Sequence, residues 1–379
     1  IATFVGGTLS YRTEVLRKKA AWFYTLSSKY ILKLTFIGWL LLGLSILLYW
    51  LYSQAYGGFI SLFSNAMFIR AGLFYIHENP WSIFGKLGGL SFFASFVFWG
   101  ILIASPNRKN RLVFKIVLIG FVFSAIFSLY VIYTWFSRSH FISYLSAFML
   151  SLIVRKHKLK LNLKVFGLVA VLAILLFIMF SASSYITKGV KLGSEINRLS
   201  TDASVRLLPM FVLLDSPEYR WFQDIVYIPI YFLPQKLWRD KLIHYTASDI
   251  VTIKMMGAKK GEAGVKGAMV IGIVPFSFLQ AGIVGVIIVG LLWGWGLVLL
   301  ERWMFTKLLP GISEIVYSYI AFRLVISSVW GADPQVVIYN NIDILAGLTF
   351  TIIMARLRFF PENHKPSYTK QQLSFWKGK

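Results

Sequence analysis

Apolar runs of about twenty residues recur along this chain, separated by short polar breaks. A helix rising about 1.5 Å per residue needs that length to cross a hydrocarbon core of about 30 Å. The runs predict spans at 31–53, 87–105, 165–184, 312–328 and 342–355, with one more inside 272–300. The stretch 111–154 is too long for one helix and is read as two, broken at "TWFSRSH". A β-barrel would instead show alternating segments of about ten residues, and none is present. The expected fold is therefore an all-α polytopic membrane protein. It has about eight or nine transmembrane helices in this chain, and one long external loop with surface or re-entrant helices. The opening "IATFVGGTLSYR" reads as the end of a helix, so more spans are expected upstream; no cleavable signal peptide is visible.

The polar breaks set the orientation. "YRTEVLRKKAAWFYTLSSK", "PNRKNR", "RKHKLKLNLK", "ERWMFTK" and the tail "RLRFFPENHKPSYTKQQLSFWKGK" are rich in Lys and Arg, so they are placed in the cytoplasm. The alternate breaks then lie outside: residues 54–86, "TWFSRSH", 185–268 and "WGADPQVVIYNN". Three segments result: an N-terminal bundle at 1–184 that includes the first external loop (54–86), the long loop at 185–268, and C-terminal helices with a basic tail at 269–379.

Composition sharpens this picture. Hydrophobic residues make up 57% and charged ones 14%, against about 25% charged in a soluble domain. The net charge of +24 would suit nucleic acid. The excess sits in short loops beside spans, however, which accounts for it without a nucleic-acid partner. The absence of cysteine excludes disulfides, thiol catalysis, iron–sulfur clusters and thiolate zinc sites.

The long loop is the exception to the apolar pattern. Eight of the 15 acidic residues lie there, with twelve Lys or Arg. A loop of this length is largely exempt from the positive-inside rule, so its cations call for another account. Its stretches "VRLLPMFVLLDSPEYRW" and "IVYIPIYFLP" are too apolar for water and too short or Pro-broken to span, so they suit helices at the membrane surface or dipping into it. Cations there would face a cavity at the outer leaflet. Arginine's fork binds phosphate oxygens two at a time, which fits a lipid-borne diphosphate at headgroup level. Arg70, Arg138, Arg198 and Arg206 lie at external boundaries, while Arg220, Lys236, Arg239 and Lys241 lie within the loop. The plain alternative is that external Lys and Arg pair with lipid phosphates or snorkel. That reading suits the lysines of "GAKKGEAGVKG" and suits Arg70, set between "AMFI" and "AGLF", less well. No phosphate-binding GxxxxGK[ST] loop or HExxH zinc helix occurs, and His77, His140 and His244 lack ligand spacing. In "SRSH", Ser and His are read as caps of the following helix, not as a nucleophile and its base.

Together these parts resemble the Wzy-type O-antigen and capsular repeat-unit polymerases. "GGFISLFSNAMFIRAG" resembles the family's first arginine-bearing periplasmic loop, and "FSRSHFISYLSAFMLSLIVRKHK" its SR-containing helix start. "FLPQKLWRDK" is similar to its Pro-Arg, Trp, Asp-Lys pattern, and "FLQAGIVGVIIVGLLWG" to the aromatic–Gly-x-x-Gly helix after the large loop. Gln235 stands where the family has Arg, so Lys236 or Arg239 would have to serve, and no acidic residue precedes the aromatic–Gly helix.

The resemblance implies a GT-C-like integral membrane glycosyltransferase at the periplasmic face of a bacterial inner membrane, needing no metal or other cofactor. The donor would be a glycan on undecaprenyl diphosphate, and the acceptor a second lipid-linked repeat unit. A chain-length regulator would be a further partner. The acceptor hydroxyl would attack the anomeric carbon as the lipid diphosphate leaves. Arg70, Arg138, Arg206 and Arg239 would stabilise the departing charge. Arg198, Arg220, Lys236 and Lys241 would bind substrate. His244, Asp215, Glu218 and Asp249 are the alternatives for a general base, and the three carboxylates are equally placed to contact substrate. Two other readings stay open: an O-antigen ligase, which differs in its acceptor, and a flippase for the same lipid-linked glycan. A flippase would be expected to show paired halves, and no internal repeat is seen.

Overall fold

The computed structural model describes residues 28–71, 79, 81–104, 111–135, 138–154, 208–215, 218–228, 246–258, 269, 271–304 and 312–356. Among these residues every regular element is helical. The order is α1 (Ser28–Gln54), α2 (Phe59–Ala71), α3 (Ser82–Leu87), α4 (Leu90–Ala104), α5 (Arg111–Thr134) and α6 (Arg138–Val154). Then come α7 (Gln223–Val226), α8 (Ala247–Met256), α9 (Ile273–Trp303), α10 (Ser313–Trp330), α11 (Pro334–Asn340) and α12 (Ile342–Arg356). Residues 208–215 add a short helical stretch.

Helix α4 is the centre of the bundle and packs against α1, α5, α10 and α12. Its sequence, "LSFFASFVFWGILIA", is apolar on every side, which suits a helix surrounded by others. Small residues let its neighbours approach closely. A side chain at Gly38 of α1 or at Gly120 of α5 would strike the Phe98 ring, and one at Gly100 would strike Ile312. The few polar groups inside pair with one another: Ser128 donates to Ser91 at 3.1 Å, Tyr144 to Ser95 at 2.8 Å, and Trp99 to Ser151 at 3.0 Å.

Four helices are long and apolar enough to cross a membrane: Tyr30–Gln54, Ser82–Ala104, Arg111–Thr134 and Ile273–Trp303. A fifth results if α11 and α12, bent by 60°, count as one span. The protein is thus a helical membrane protein with four or five such spans among the described residues. The larger expected number included 165–184, which lies outside the described residues. It also included α6, a helix of 17 residues, and α10, whose apolar stretch is confined to Ile315–Val325. Both are short for a bilayer core of about 30 Å. The break expected within 111–154 is present, since α5 ends at Thr134 and α6 begins at Arg138.

The chain's polar elements collect at the end of the bundle where α1 finishes. Trp135 donates to the Gly85 carbonyl at 3.1 Å, Tyr130 to Phe59 at 2.7 Å, and Lys86 to Asn340 at 3.5 Å. These bonds tie α2, α3, the end of α5 and α11 to one another. The stretches 54–86 and 330–341, expected to be loops, contain α2, nearly all of α3, and α11. Asp333 caps α11, accepting from the Gln335 N–H at 3.1 Å, and Pro334 supplies a preset first turn.

Candidate functional site

At this end lies a second, smaller core, built from Leu213, Ala247, Val251, Ile271, Phe276, Phe278, Leu279 and Ala332. It draws together 208–215, α8, the start of α9 and the α10–α11 connection. The Ala332 N–H donates to Ile271 at 2.7 Å and the Ser248 N–H to Asp333 at 3.1 Å, closing the assembly.

A break in α9 organises the site. Ala281 (φ −157°, ψ 38°) and Gly282 (φ 61°, ψ −145°) leave helical geometry inside Ile273–Trp303. The interrupted ladder frees carbonyls, and those of Leu279 and Gln280 are taken up from outside the helix. They accept the N–H groups of Arg220 at 3.0 Å and Trp221 at 2.8 Å. To present both donors the backbone turns left-handed at Trp221 (φ 50°) and Phe222 (φ 64°). Such strain persists only where surrounding contacts enforce it.

Directly after this turn Asp224, fully buried at the start of α7, accepts three hydrogen bonds. Arg220 donates from Nε at 2.7 Å and Nη2 at 3.0 Å, a bidentate ion pair, and Gln280 donates from Nε2 at 2.8 Å. Gln280 is itself fully buried, and its Oε1 has no hydrogen-bond partner among the described residues. A buried acceptor of this kind suits a hydroxyl donor.

The remaining carboxylates of this end have distinct tasks. Asp249 closes a capping box on α8: its Oδ2 accepts from the Thr246 N–H at 3.0 Å, and Thr246 Oγ1 accepts from the Asp249 N–H at 3.2 Å. Burial raises the pKa of Asp333 from the ordinary aspartate value. The Ser248 hydrogen bonds oppose that rise and the charge of Asp224 adds to it. Glu218 is exposed and meets Lys254 at 3.5 Å, and Asp215 is exposed.

Of the residues expected at a site, Arg198, Arg206, Lys236, Arg239, Lys241 and His244 lie outside the described residues. Arg70 falls in α2 and Arg138 opens α6, so both helix positions lie at the loop-bearing end. Arg220 is there too, engaged with Asp224. Three residues that the sequence reading passed over complete the site: Asp224, Gln280 and Asp333. Lys86 is a fourth polar feature of this end, with its ammonium 5.4 Å from the Trp135 ring centre and 5.1 Å from that of Tyr339.

A buried ion pair lies beneath this layer. Arg323 of α10 donates to Asp343 of α12 from Nη1 at 3.0 Å and Nη2 at 3.3 Å, to Tyr319 at 3.0 Å and to the Asn340 carbonyl at 3.0 Å. An Arg inside "YSYIAFRLVISSVW" and an Asp inside "NNIDILAGLTF" were a readable signal, because charges within spans seek each other. Compared with protein-family models, curated proteins and solved structures, the chain matches none.

Proposed function

We propose that this protein polymerises undecaprenyl-diphosphate-linked oligosaccharide repeat units into O-antigen or capsular polysaccharide, at the periplasmic face of a bacterial inner membrane. One observation supports this reading above the others. The described stretches that carry the family resemblance are gathered at a single end of the bundle: α2 with Arg70, the start of α6 with Arg138, and the "FLQAG" break bound to Arg220. A lipid diphosphate has its charge at membrane-surface depth, where this end would lie. Fixed cations there stabilise the diphosphate more as the glycosidic bond breaks than before, which lowers the barrier. A base on the acceptor hydroxyl completes the transfer. The break in α9 and the ion pair beside it would give such cations a rigid floor.

The test is chain growth by the purified protein from lipid-linked repeat units, with and without EDTA. Arg→Ala at Arg70, Arg138, Arg206 or Arg239 is expected to slow growth about a hundredfold, near 3 kcal/mol in the barrier. Arg→Lys should restore part of it, since a point charge does not reproduce the fork. Lys188→Ala serves as control and should change little. Normal ladders from all four Ala variants would reject the cationic site, and strict dependence on a divalent metal would reject the cation-only mechanism. Transfer to lipopolysaccharide core, with no ladder, would make the protein a ligase.

A further inference from the structure

Helix α9 is longer than a bilayer requires. Straight, its 31 residues would extend roughly 46 Å, against a hydrocarbon core of about 30 Å. The break at Ala281–Gly282 divides it, and the part from Ile283 to Trp303 alone extends about 31 Å. Burial changes at the same point. Phe276, Ser277, Phe278, Leu279 and Gln280 are buried in protein, whereas Ile283, Val284, Ile287, Ile288, Leu292 and Trp295 are exposed. One run of apolar residues therefore has two surroundings: mostly protein before the break, and a largely uncovered apolar face after it, as a lipid-facing span would have. An edge of the hydrocarbon core at the break would account for both the length and the change in burial.

The turn at Trp221 is tied to that edge, because Arg220 and Trp221 bond the last two carbonyls before it. It carries an apolar face of its own. Trp221 and Val226 are each 69% exposed and Phe211 66%, while Leu214 is about half exposed and Ile225 less so, at 39%. This face adjoins the exposed start of the lipid-facing half, with Tyr219 standing beside Gly282. Its residue types are those that settle at a membrane–water boundary, where an aromatic ring has one side apolar and one side wet.

We propose that residues 208–228 form an interfacial membrane anchor, with Phe211, Leu214, Trp221 and Val226 inserted at the boundary between lipid headgroups and acyl chains. The occupant of the face is the outer boundary of the same bilayer that α9 crosses. Held this way, the Arg220–Asp224–Gln280 cluster lies at headgroup depth. The strained turn at Trp221 and Phe222 turns the exposed indole away while the Trp221 backbone N–H stays on α9. This anchor does not depend on the polymerase reading, since a flippase or ligase would carry it equally.

The chain has no cysteine, so a single introduced thiol can be labelled specifically. Phe211→Cys, Trp221→Cys and Val226→Cys are spin-labelled and reconstituted into vesicles of phosphatidylcholine and phosphatidylglycerol. Collision with oxygen, which concentrates in the bilayer, is compared with collision with an aqueous nickel chelate. Val284→Cys marks the core edge, Leu292→Cys the interior, and free label the water. The expected result is a depth at 211, 221 and 226 close to that of 284, with nickel access several-fold below free label. Three outcomes overturn the anchor: nickel access equal to free label, a depth equal to that at 292, or protection from both probes, which would mean a protein covers the face. Trp221→Cys alters a strained turn, so the exposed positions 211 and 226 carry the test if that variant does not fold.

Discussion

Asp224 shows how one side chain joins two segments that sequence places far apart. Its carboxylate takes a bidentate guanidinium from four residues back and an amide from Gln280, so its removal takes these bonds from both donors at once. Arg220 is 14% exposed at its side chain while Asp224 is closed to solvent. Asp224→Ala is therefore expected to cost about 3 kcal/mol, the lower end of what breaking a buried pair costs. Asp224→Asn keeps the shape and one acceptor and should lose less. Glu218→Ala should lose no more than about 1 kcal/mol, because Glu218 is 70% exposed and its ion pair with Lys254 is long. Unfolding of the three variants by denaturant in detergent micelles checks the order. Equal losses for Asp224→Ala and Glu218→Ala would show that the cluster is not the tie between the loop and α9.

At the scale of elements, the break in α9 depends on one glycine. Gly282 sits at φ 61°, ψ −145°, a region that side-chain-bearing residues avoid, and an added Cβ would stand 3.2 Å from the Tyr219 hydroxyl. Gly282→Ala should destabilise by about 2 kcal/mol through backbone strain alone. Gly296→Ala on the same helix meets nothing within 4 Å and should be neutral or stabilising by up to about 1 kcal/mol, since alanine favours helix. Comparable losses at both positions, in the same unfolding measurement, would contradict the assignment of strain to the break. The elements themselves were largely legible in the sequence. Span limits read as 31–53 and 87–105 fall close to Ser28–Gln54 and Leu90–Ala104, because hydropathy follows the bilayer's thickness, whereas 312–328 matches a helix, Ser313–Trp330, whose apolar stretch is only Ile315–Val325. The break was not legible. "FLQAGIVG" is as apolar as the helix around it, and what opens the ladder there is a pair of donors some sixty residues earlier, at Arg220 and Trp221. "WGADPQVVIYNN" likewise read as a loop because its helix is short, although Asp-Pro at its start is a cap signal. Asp249 read as a candidate base and forms a capping box, a pattern visible as Thr246 followed three residues later by an acid.

At the scale of the whole molecule, Arg323 and Asp343 form a charged joint inside the bundle. Arg323 and Asp343 are almost closed to solvent and bind α10 to α12, and a side chain at Gly89 would strike the Asp343 carboxylate, so the α3–α4 junction closes over the same pair. The Phe92 ring of α4 lies 5.5 Å from the guanidinium carbon and the Tyr319 hydroxyl accepts from it, so four helical elements meet there. The Asn340 carbonyl, which also accepts from Arg323, comes just before the 60° bend between α11 and α12, where a helix end leaves carbonyls without intrahelical donors. Two roles fit such a joint: it fixes the architecture, or its charges take part in moving a substrate or proton. They differ in what a double substitution does. Arg323→Met or Asp343→Leu alone should destabilise by about 3–5 kcal/mol, since each leaves a buried charge without its counterpart. The double variant removes both charges and keeps volume, so its stability should return to within about 1–2 kcal/mol of the original. If the joint is architectural, the chain growth proposed above returns with stability. A double variant that is stable yet inactive would assign the pair to function and would favour transport along the bundle over transfer at its end. A double variant no more stable than the singles would mean that the pair's other hydrogen bonds, to Tyr319 and Asn340, hold the joint. The expected result is a coupling energy of several kcal/mol between the two positions with activity retained, because the Arg323 hydrogen bonds run to Tyr319 of α10, Asp343 of α12 and the Asn340 carbonyl at the bend, which joins these helices to one another.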